Sequence, residues 1–485
     1  MVTTPEHTTD VFERARLSRD PRYDGRFFIA VVTTGIYCRP ICPATPPKRE
    51  NVRFYPSAAA AGEAGFRPCL RCRPETAPGT PAWQGTSTTV RRALRMIESG
   101  ALNDGDVESL AERLGVTSRH LRRLFQQILG ASPLAVAHTQ RLHLAKRLID
   151  QTGLPLSEVA TLSGFGSVRR FNDTFSKTYK RSPRELRKRR RGVDADDGFE
   201  LRLPYPPGYD AASLLGFLGN RAIPGVEEIT NGTYRRALRV DDEAGIVEVA
   251  DIHGALSVRL LGLDTNRLVT VVQRVRSVFD LDAPMKDIND WLDRDKAIRL
   301  SDTDDVRVPG CWDGFELAVR AVLGQQISVA AATTIAGRIV ERYGDTVDMP
   351  TVNGVHRLFP TAAKLARARF KNLGLVTSRI ETIRAIARGV DRGELDLAED
   401  ADPKKLREVL TRIRGVGPWT AEYIAMRALK DPDAFPSSDL GLLKGMDSFA
   451  GRRMKPKELE HHAEAWRPWR AYAALRLWRL SAAGG

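Results

Sequence analysis

Apolar residues change their spacing several times along this chain of 485 residues, and each change marks a candidate boundary. Residues 90–186 carry short helical periods. In VESLAERLGV, Val107, Leu110, Ala111 and Leu114 fall on one helical face, and Gly115 makes a turn. SRHLRRLFQQI then begins at Ser118, a capping residue type. It turns Leu121, Leu124, Phe125 and Ile128 inward and Arg119, His120, Arg122 and Arg123 outward. The design recurs in LSEVATLSGF followed by SVRRFNDTFSKTY, with Val168, Phe171 and Phe175 inward and Arg169, Arg170 and Asn172 outward. From Phe199 a short helical stretch, LLGFLGNR, precedes GTYRRALRV, GIVEVADI and ALSVRLLGL, which alternate like strands. From about residue 281 helical periods dominate, broken by caps, Gly and Pro.

Residues 73–89 are rich in Pro, Gly, Ser and Thr and read as a linker. The basic run RKRRR at 187–191, followed at once by Asp194, Asp196 and Asp197, reads as a second boundary and as a source of phosphate affinity. The formal net charge of +15 favours a polyanionic partner, most often nucleic acid. No run approaches the roughly 18 apolar residues of a membrane span. The N-terminus lacks the charge-then-apolar order of a secretory signal, so a cytoplasmic, nucleoid-associated protein with no membrane partner is expected.

Four of the five cysteines, Cys38, Cys42, Cys69 and Cys72, form a C-x3-C-x26-C-x2-C set. Two close pairs far apart in sequence can supply four thiolates to one Zn2+. The spacing alone favours a structural zinc site. The surrounding TTGIYCRPICPA, ENVRFYPS and GFRPCLRCRP resemble the zinc domain of the Ada adaptive-response proteins over roughly residues 8–76. That resemblance implies that Cys38 accepts a methyl group from a DNA methylphosphotriester, once and irreversibly. Arg39, Arg67, Arg71 and Arg73 stand beside the cysteines and are candidates to hold neighbouring phosphates. Cys311 stands alone and reads as a buried core residue.

The paired helices allow two readings: a plain helical bundle, or two helix-turn-helix units entering successive major grooves. The closing pattern GFGSVRRFNDTFSKTYKRSPRELR resembles the AraC-type DNA-binding domain and favours the second. Arg and Asn on such helices read guanine and adenine edges. Transcription regulation then makes RNA polymerase a further candidate partner.

LTRIRGVGPWTAEYIA reads as helix, Gly-x-Gly hairpin and helix, with Gly415, Val416, Gly417 and Thr420 as the DNA-binding hairpin. Downstream, Asp439 after Ser-Ser reads as a helix cap when taken alone. A hairpin followed about 20 residues on by an Asp resembles the helix-hairpin-helix DNA glycosylases. LLGFLGNRAIPGVE, VPGCWDGFELAVRAVLGQQISVA and RPWRAYAALRLW match their AlkA branch, across about residues 199–485. The resemblance implies a 3-methyladenine DNA glycosylase with Asp439 as catalytic carboxylate and Trp419, Tyr423 and Trp478 as the base pocket. Gln326 occupies the position of the family's leucine DNA wedge. Bifunctional relatives carry a Lys where Trp419 stands, so strand cleavage is not expected. No Pro-Cys-His-Arg motif occurs, so O6-methylguanine repair is not expected either.

The predicted fold is multidomain and mainly α with α+β parts. It comprises a small zinc-bound α+β domain (1–78), a linker (79–89), an all-α paired helix-turn-helix domain (90–190), a linker (191–198), an α+β AlkA N-terminal-like domain (199–280) and an all-α helix-hairpin-helix glycosylase domain (281–485). The predicted function is a bifunctional response to DNA alkylation, acting on damaged and promoter double-stranded DNA. The alternative is a transcription regulator whose AlkA-like part is an inactive DNA-binding scaffold.

Overall fold

The computed structural model describes residues 6–77, 88–187, 199–300, 305–347 and 354–483. The chain divides into two compact units. The first holds Met1–Pro207 with His253–Leu256 and Leu281–Lys286, and the second Gly208–Ile252, Ser257–Asp280 and Asp287–Gly485. Most of the basic run at 187–191 and the whole of the 191–198 linker lie outside the described residues.

The first unit opens with a sheet in the order β3-β1-β2-β4, from β1 (Phe28–Val31), β2 (Ile36–Cys38), β3 (Val52–Tyr55) and β4 (Arg67–Pro68). Side chains alternate across a strand, so Phe28 and Ala30 pack with Tyr37, Ala58 and Ala61 on one face. Phe27 and Ile29 pack with Ala15 and Val52 on the other. The pairing of β2 with β4 is parallel and carries the Cys69 N–H to the Tyr37 carbonyl at 3.0 Å. This register brings the two distant cysteine pairs together.

Val107–Arg113 and Ser118–Leu129 form the first helix pair, joined at Gly115 with φ +71°. The cap of the second helix is Thr117, whose hydroxyl accepts the His120 N–H, and not Ser118. Leu121 and Phe125 are fully buried, while Leu124 and Ile128 are half-buried against the same core. That core also takes in Ala59 and Ala60 of the cysteine-bearing module. Further polar contacts join the two: Ser57 Oγ donates to the Leu129 carbonyl at 2.7 Å, and Tyr37 Oη lies 3.1 Å from His143 Nε2. The predicted 73–89 linker is therefore too long at both ends. Pro74–Thr76 is a 3-10 turn with Glu75 buried, and a helix begins at Thr88. Residues 78–87 lie outside the description.

The second pair is Leu156–Leu162 and Val168–Tyr179, the latter capped by Ser167. Phe171, Phe175 and Tyr179 are buried, but Val168 is 40% exposed. It is the first helical residue, and the buried face starts one turn later at Phe171. Strand β5 (Phe199–Pro204) belongs to this unit.

In the second unit β6 (Glu227–Thr230), β7 (Thr233–Val240), β8 (Glu243–Asp251) and β9 (Ala255–Leu261, which belongs to this unit from Ser257) neighbour one another in the order β9-β8-β7-β6. The alternating segments are strands, as the period-two pattern predicts. Register places Glu227 opposite Arg236. Arg236 is buried and ion-paired with Glu227 and with Glu316 of helix Gly314–Leu323. Deleting one partner of such a cluster costs roughly 3–5 kcal/mol, because an unpaired buried charge remains.

The rest is helical. Pro403–Thr411 and Pro418–Ala428 form the predicted hairpin, each with Pro at a first-turn position where its missing N–H costs nothing. Leu440–Ala450 and Arg470–Ala483 follow. Among the described residues no helix is long and apolar enough to cross a membrane.

Candidate functional site

Two sites emerge, one in each unit. In the first, the Sγ atoms of Cys38, Cys42, Cys69 and Cys72 all lie within 4.8 Å of one another. Tetrahedral zinc with Zn–S bonds of about 2.3 Å needs sulfurs a little under 4 Å apart, so the set fits the ion. The Arg39 N–H donates to Cys72 Sγ at 3.3 Å, a contact that favours a thiolate. Cys69 and Cys72 are buried and Cys38 and Cys42 are partly exposed, so Cys38 sits on the open side.

Two of the four candidate phosphate-binding arginines are otherwise engaged. The Arg39 guanidinium pairs with Asp24 and donates to Thr76 Oγ1 at 2.6 Å. Arg73 pairs with Glu75 at 3.1 Å and with Asp150. Both build the module. Arg71 is exposed and Arg67 is half-buried at the edge strand β4.

On the helix pairs, Arg119, Arg122 and Arg123 are exposed and His120 is half-buried. Arg122 donates to Glu108 Oε1 at 2.8 Å and Arg123 lies 2.9 Å from His120 Nδ1. Arg169 and Arg170 are exposed and Asn172 is half-buried. Apart from Val168, the inward and outward sets fall as the helical period predicts.

The second site is a cavity of about 750 Å3 lined by Phe217, Arg221, Trp419, Tyr423, Asp439 and Trp478 among others. Asp439 has two sets of contacts. It caps helix Leu440–Ala450, where Oδ1 accepts the N–H groups of Gly441 at 2.8 Å and Leu442 at 3.1 Å. It also faces the cavity. Trp419 Nε1 donates to Oδ2 at 2.8 Å and Trp478 Nε1 donates to Oδ1 at 2.8 Å. A Cβ on Gly441 would stand 2.8 Å from Trp478 Cδ1, so only glycine lets this indole reach the carboxylate. Trp419 stacks on Tyr423, with centroids 5.4 Å apart and planes at 7°, and Trp478 meets the Tyr423 ring edge-on at 6.5 Å. Tyr423 Oη accepts from Arg427 Nη1 at 2.8 Å. Burial alone would raise the Tyr423 phenol, but the Arg427, Arg221 and Arg320 guanidiniums outweigh it and hold the group below its ordinary value.

At the hairpin Gly415 has φ +89°, and a Cβ there would stand 2.2 Å from Thr382 Oγ1. Gly417 caps the following helix with its backbone N–H groups exposed to approach. The Val416 and Thr420 side chains point inward. Both are buried, and Thr420 Oγ1 accepts from Gln325 Nε2 at 2.9 Å, so any DNA contact at these two positions belongs to the backbone. Gln325 Nε2 also donates to the Gly415 carbonyl at 3.0 Å, which fixes the neighbouring loop on the hairpin. Gln326, at its tip, is exposed and held at φ +58°, a left-handed conformation uncommon for a side chain of this size. Cys311 is only partly buried, with its thiol turned inside, where burial pushes it up to about 12.

Sequence reasoning missed Phe217, Arg221, Ile327 and Arg427, all on the cavity wall. The signal was available: Phe217 and Arg221 are four apart in one helical stretch, and Arg427 is four beyond Tyr423, so each pair shares a face.

Four family models match the chain in order. They are the metal binding domain of Ada at residues 12–75, a helix-turn-helix domain at 110–189, the AlkA N-terminal domain at 200–313 and the HhH-GPD superfamily of base excision DNA repair proteins at 319–471. A probable bifunctional transcriptional activator/DNA repair enzyme AlkA of Mycobacterium tuberculosis is 42% identical over 97% of this chain and 96% of its own. DNA-3-methyladenine glycosylase 2 of Escherichia coli is 35% identical over 57% of this chain and 95% of its own. The bifunctional transcriptional activator/DNA repair enzyme Ada of the same organism is 43% identical over 26% of this chain and 35% of its own. Among solved structures, a 3-methyladenine DNA-glycosylase from Archaeoglobus fulgidus shares the fold, with TM-score 0.51 and 23% identity over 58% of this chain and 98% of its own.

Proposed function

The chain belongs to the family of bifunctional transcriptional activator/DNA repair enzymes that join an Ada-type half to an AlkA-type half, and from this membership we propose how its residues divide the work. It is a DNA glycosylase of the 3-methyladenine type carrying an Ada-like sensor, and it acts on double-stranded DNA.

In the first unit Cys38 attacks the methyl carbon of a methylphosphotriester. The sulfur–carbon bond forms as the carbon–oxygen bond breaks, and the oxygen keeps the electron pair as an ordinary phosphodiester anion. Zinc bound by the four cysteines keeps the thiols ionised at neutral pH. The methylated thioether is not regenerated, so each chain reacts once. A methylated phosphate has lost its charge and does not repel the anionic centre, and methylation of Cys38 removes one negative charge from that centre. Affinity for DNA rises in consequence. Arg67 and Arg71 hold flanking phosphates. Arg119, His120, Arg122 and Arg123, then Arg169, Arg170 and Asn172, enter successive major grooves, and the bound activator engages RNA polymerase at promoters in the cytoplasm.

In the second unit the damaged base leaves the stack and enters the aromatic cavity. A cationic alkylated base is already a good leaving group, and aromatic faces attract it. As the N-glycosidic bond breaks, the sugar develops oxocarbenium character, which the Asp439 carboxylate stabilises while positioning the attacking water. The hairpin backbone at Gly415–Gly417 holds a phosphate, and Gln326 fills the gap left by the flipped nucleotide. Trp419 stands where a Schiff-base lysine would, so the product is an abasic site in an uncut strand.

The observation that carries this reading is the Asp439 carboxylate on the cavity wall, fixed by two indole N–H groups beside the Trp419–Tyr423 stack. The test is a methylated duplex scored for breaks before and after hot alkali. Breaks confined to the alkali-treated sample support monofunctional glycosylase action. Breaks before alkali contradict it.

A further inference from the structure

Gln326 sits on the short loop between helices Gly314–Leu323 and Val329–Tyr343. It is exposed and left-handed, and among the described residues no hydrogen bond holds its side chain. A backbone in such a sparsely populated conformation persists only where the surroundings over-determine it. The contacts that do so come from distant segments. Arg379 Nη2 donates to the Gln325 carbonyl at 2.6 Å, and that carbonyl belongs to the peptide joining Gln325 to Gln326. The Gln325 amide donates to the Gly415 carbonyl at 3.0 Å and to Thr420 Oγ1 at 2.9 Å. The loop ends are closed as well: the Gly324 N–H donates to the Arg320 carbonyl at 2.9 Å, and Ser328 caps the following helix. Arg379 stands in the first turn of helix Thr377–Asp391. A turn further on, Thr382 Oγ1 lies 2.9 Å from the Arg414 carbonyl. One helix therefore grips both the loop that carries Gln326 and the hairpin that carries Gly415.

We propose that Arg379 is a positioning residue for base extrusion: its bond to the Gln325 carbonyl keeps Gln326 aimed into the gap that the flipped nucleotide leaves. The inference rests on the glycosylase reading above, and it holds for whichever alkylated base enters the cavity. A peptide unit is planar, so the Gln325 carbonyl and the φ of Gln326 turn together. Without the guanidinium the unit is free to flip, which turns the carbonyl outward and carries Gln326 out of its left-handed conformation. The glutamine then points elsewhere, and the extruded state loses the side chain that fills its gap. Arg379 thus acts through Gln326. A direct phosphate contact by Arg379 would act on affinity instead, independently of Gln326.

A double-mutant cycle on the full chain tests this: wild type, Arg379→Met, Gln326→Ala and the double variant. Each protein is assayed for single-turnover release of 3-methyladenine from methylated duplex at saturating enzyme, and for affinity to undamaged duplex. Arg379→Met is expected to slow release roughly tenfold, as small misplacements near a reacting centre do. Its affinity for undamaged duplex should stay within about threefold of wild type, and adding it to Gln326→Ala should cost less than about twofold more. Losses that multiply in the double variant, or a larger fall in affinity, assign Arg379 to direct DNA binding and overturn the inference. Wild-type rates in either single variant overturn it too. In each of these cases base release by wild type leaves the glycosylase reading standing, whereas wild-type protein that releases no base overturns the reading and the inference together. Should Arg379→Met not fold, Arg379→Gln is a polar replacement that ends short of the carbonyl, read in the same cycle against the same limits.

Discussion

Replacing Trp419 by Phe removes one N–H and keeps an aromatic ring on Tyr423. The two oxygens of Asp439 are not equally supported. Oδ1 accepts from Trp478 Nε1, the Gly441 N–H and the Leu442 N–H, whereas Trp419 Nε1 is the donor to Oδ2. A hydrogen bond to a charged acceptor is worth about 1.5–3 kcal/mol. In Trp419→Phe that bond is lost without substitute, and the oxygen it fixed is free to swing. In Trp478→Phe the helix cap still holds Oδ1, so the loss is nearer the ~0.5–1.5 kcal/mol of a neutral bond. If half of each loss reaches the transition state, Trp419→Phe slows the chemical step by roughly 4- to 13-fold and Trp478→Phe by roughly 1.5- to 4-fold, at 1.36 kcal/mol per decade. The assay is single-turnover release of 3-methyladenine at saturating enzyme, which isolates chemistry from binding. Equal losses, or the larger loss in Trp478→Phe, would refute the claim that the indoles act by fixing the carboxylate and would return Trp478 to base stacking alone.

Three further outcomes are expected. Gly415→Ala combines φ +89° with a Cβ 2.2 Å from Thr382 Oγ1, whereas Gly417 has an unstrained backbone and nothing within 4 Å of its Cβ. The first should weaken binding to an abasic-analogue duplex by about tenfold, through roughly 1–2 kcal/mol of left-handed strain plus the clash, and the second by less than threefold, as measured by fluorescence anisotropy. The four-cysteine set should bind one zinc per chain, and Cys38→Ser should retain zinc with lower affinity while taking up no label from DNA bearing radioactive methylphosphotriesters. His143 is half-buried with its ring against Tyr37, and desolvation of that ring, with Arg147 adding, pushes it down to about 3. The unfolded chain titrates near 6.5, so this stability is complete above about pH 6.5 and falls toward pH 3 by roughly 1.4 kcal/mol per unit. Urea-induced zinc release followed from pH 7 to pH 5 should be steeper in wild type than in His143→Gln, and parallel slopes would show that His143 stays uncharged in both states.

The legible parts of this chain are those set by local rules. The turn at Gly115, the buried Phe171 and Phe175, the alternating strands and the Gly415–Gly417 hairpin follow from period and turn chemistry. The cysteine spacing foretold a shared site, but not that a two-residue parallel strand, β4, would close it. What escaped the sequence depends on contacts between distant segments. Arg39 and Arg73 look identical to Arg67 and Arg71 in sequence, and only the fold shows that Asp24 and Asp150 pair with the first two. Thr420 looks like a hairpin residue until Gln325, 95 positions away, claims its hydroxyl. The cap and catalytic readings of Asp439 compete in sequence because each explains an Asp at that position. In the fold one oxygen serves the cap while the other faces Trp419.

The proposed base excision stands or falls on Asp439. Methylated duplex DNA incubated with wild-type protein and with Asp439→Asn, followed by chromatography of the free 3-methyladenine, tests it most directly. Asparagine preserves a cap oxygen and the side-chain shape, so folding and DNA binding persist while the charge is gone. Release by wild type and a loss of at least a hundredfold in the variant are expected. Equal release by both would show that the carboxylate is a cap and nothing more. A well-folded wild type that binds DNA and releases no base would make the second unit a scaffold for a transcription regulator.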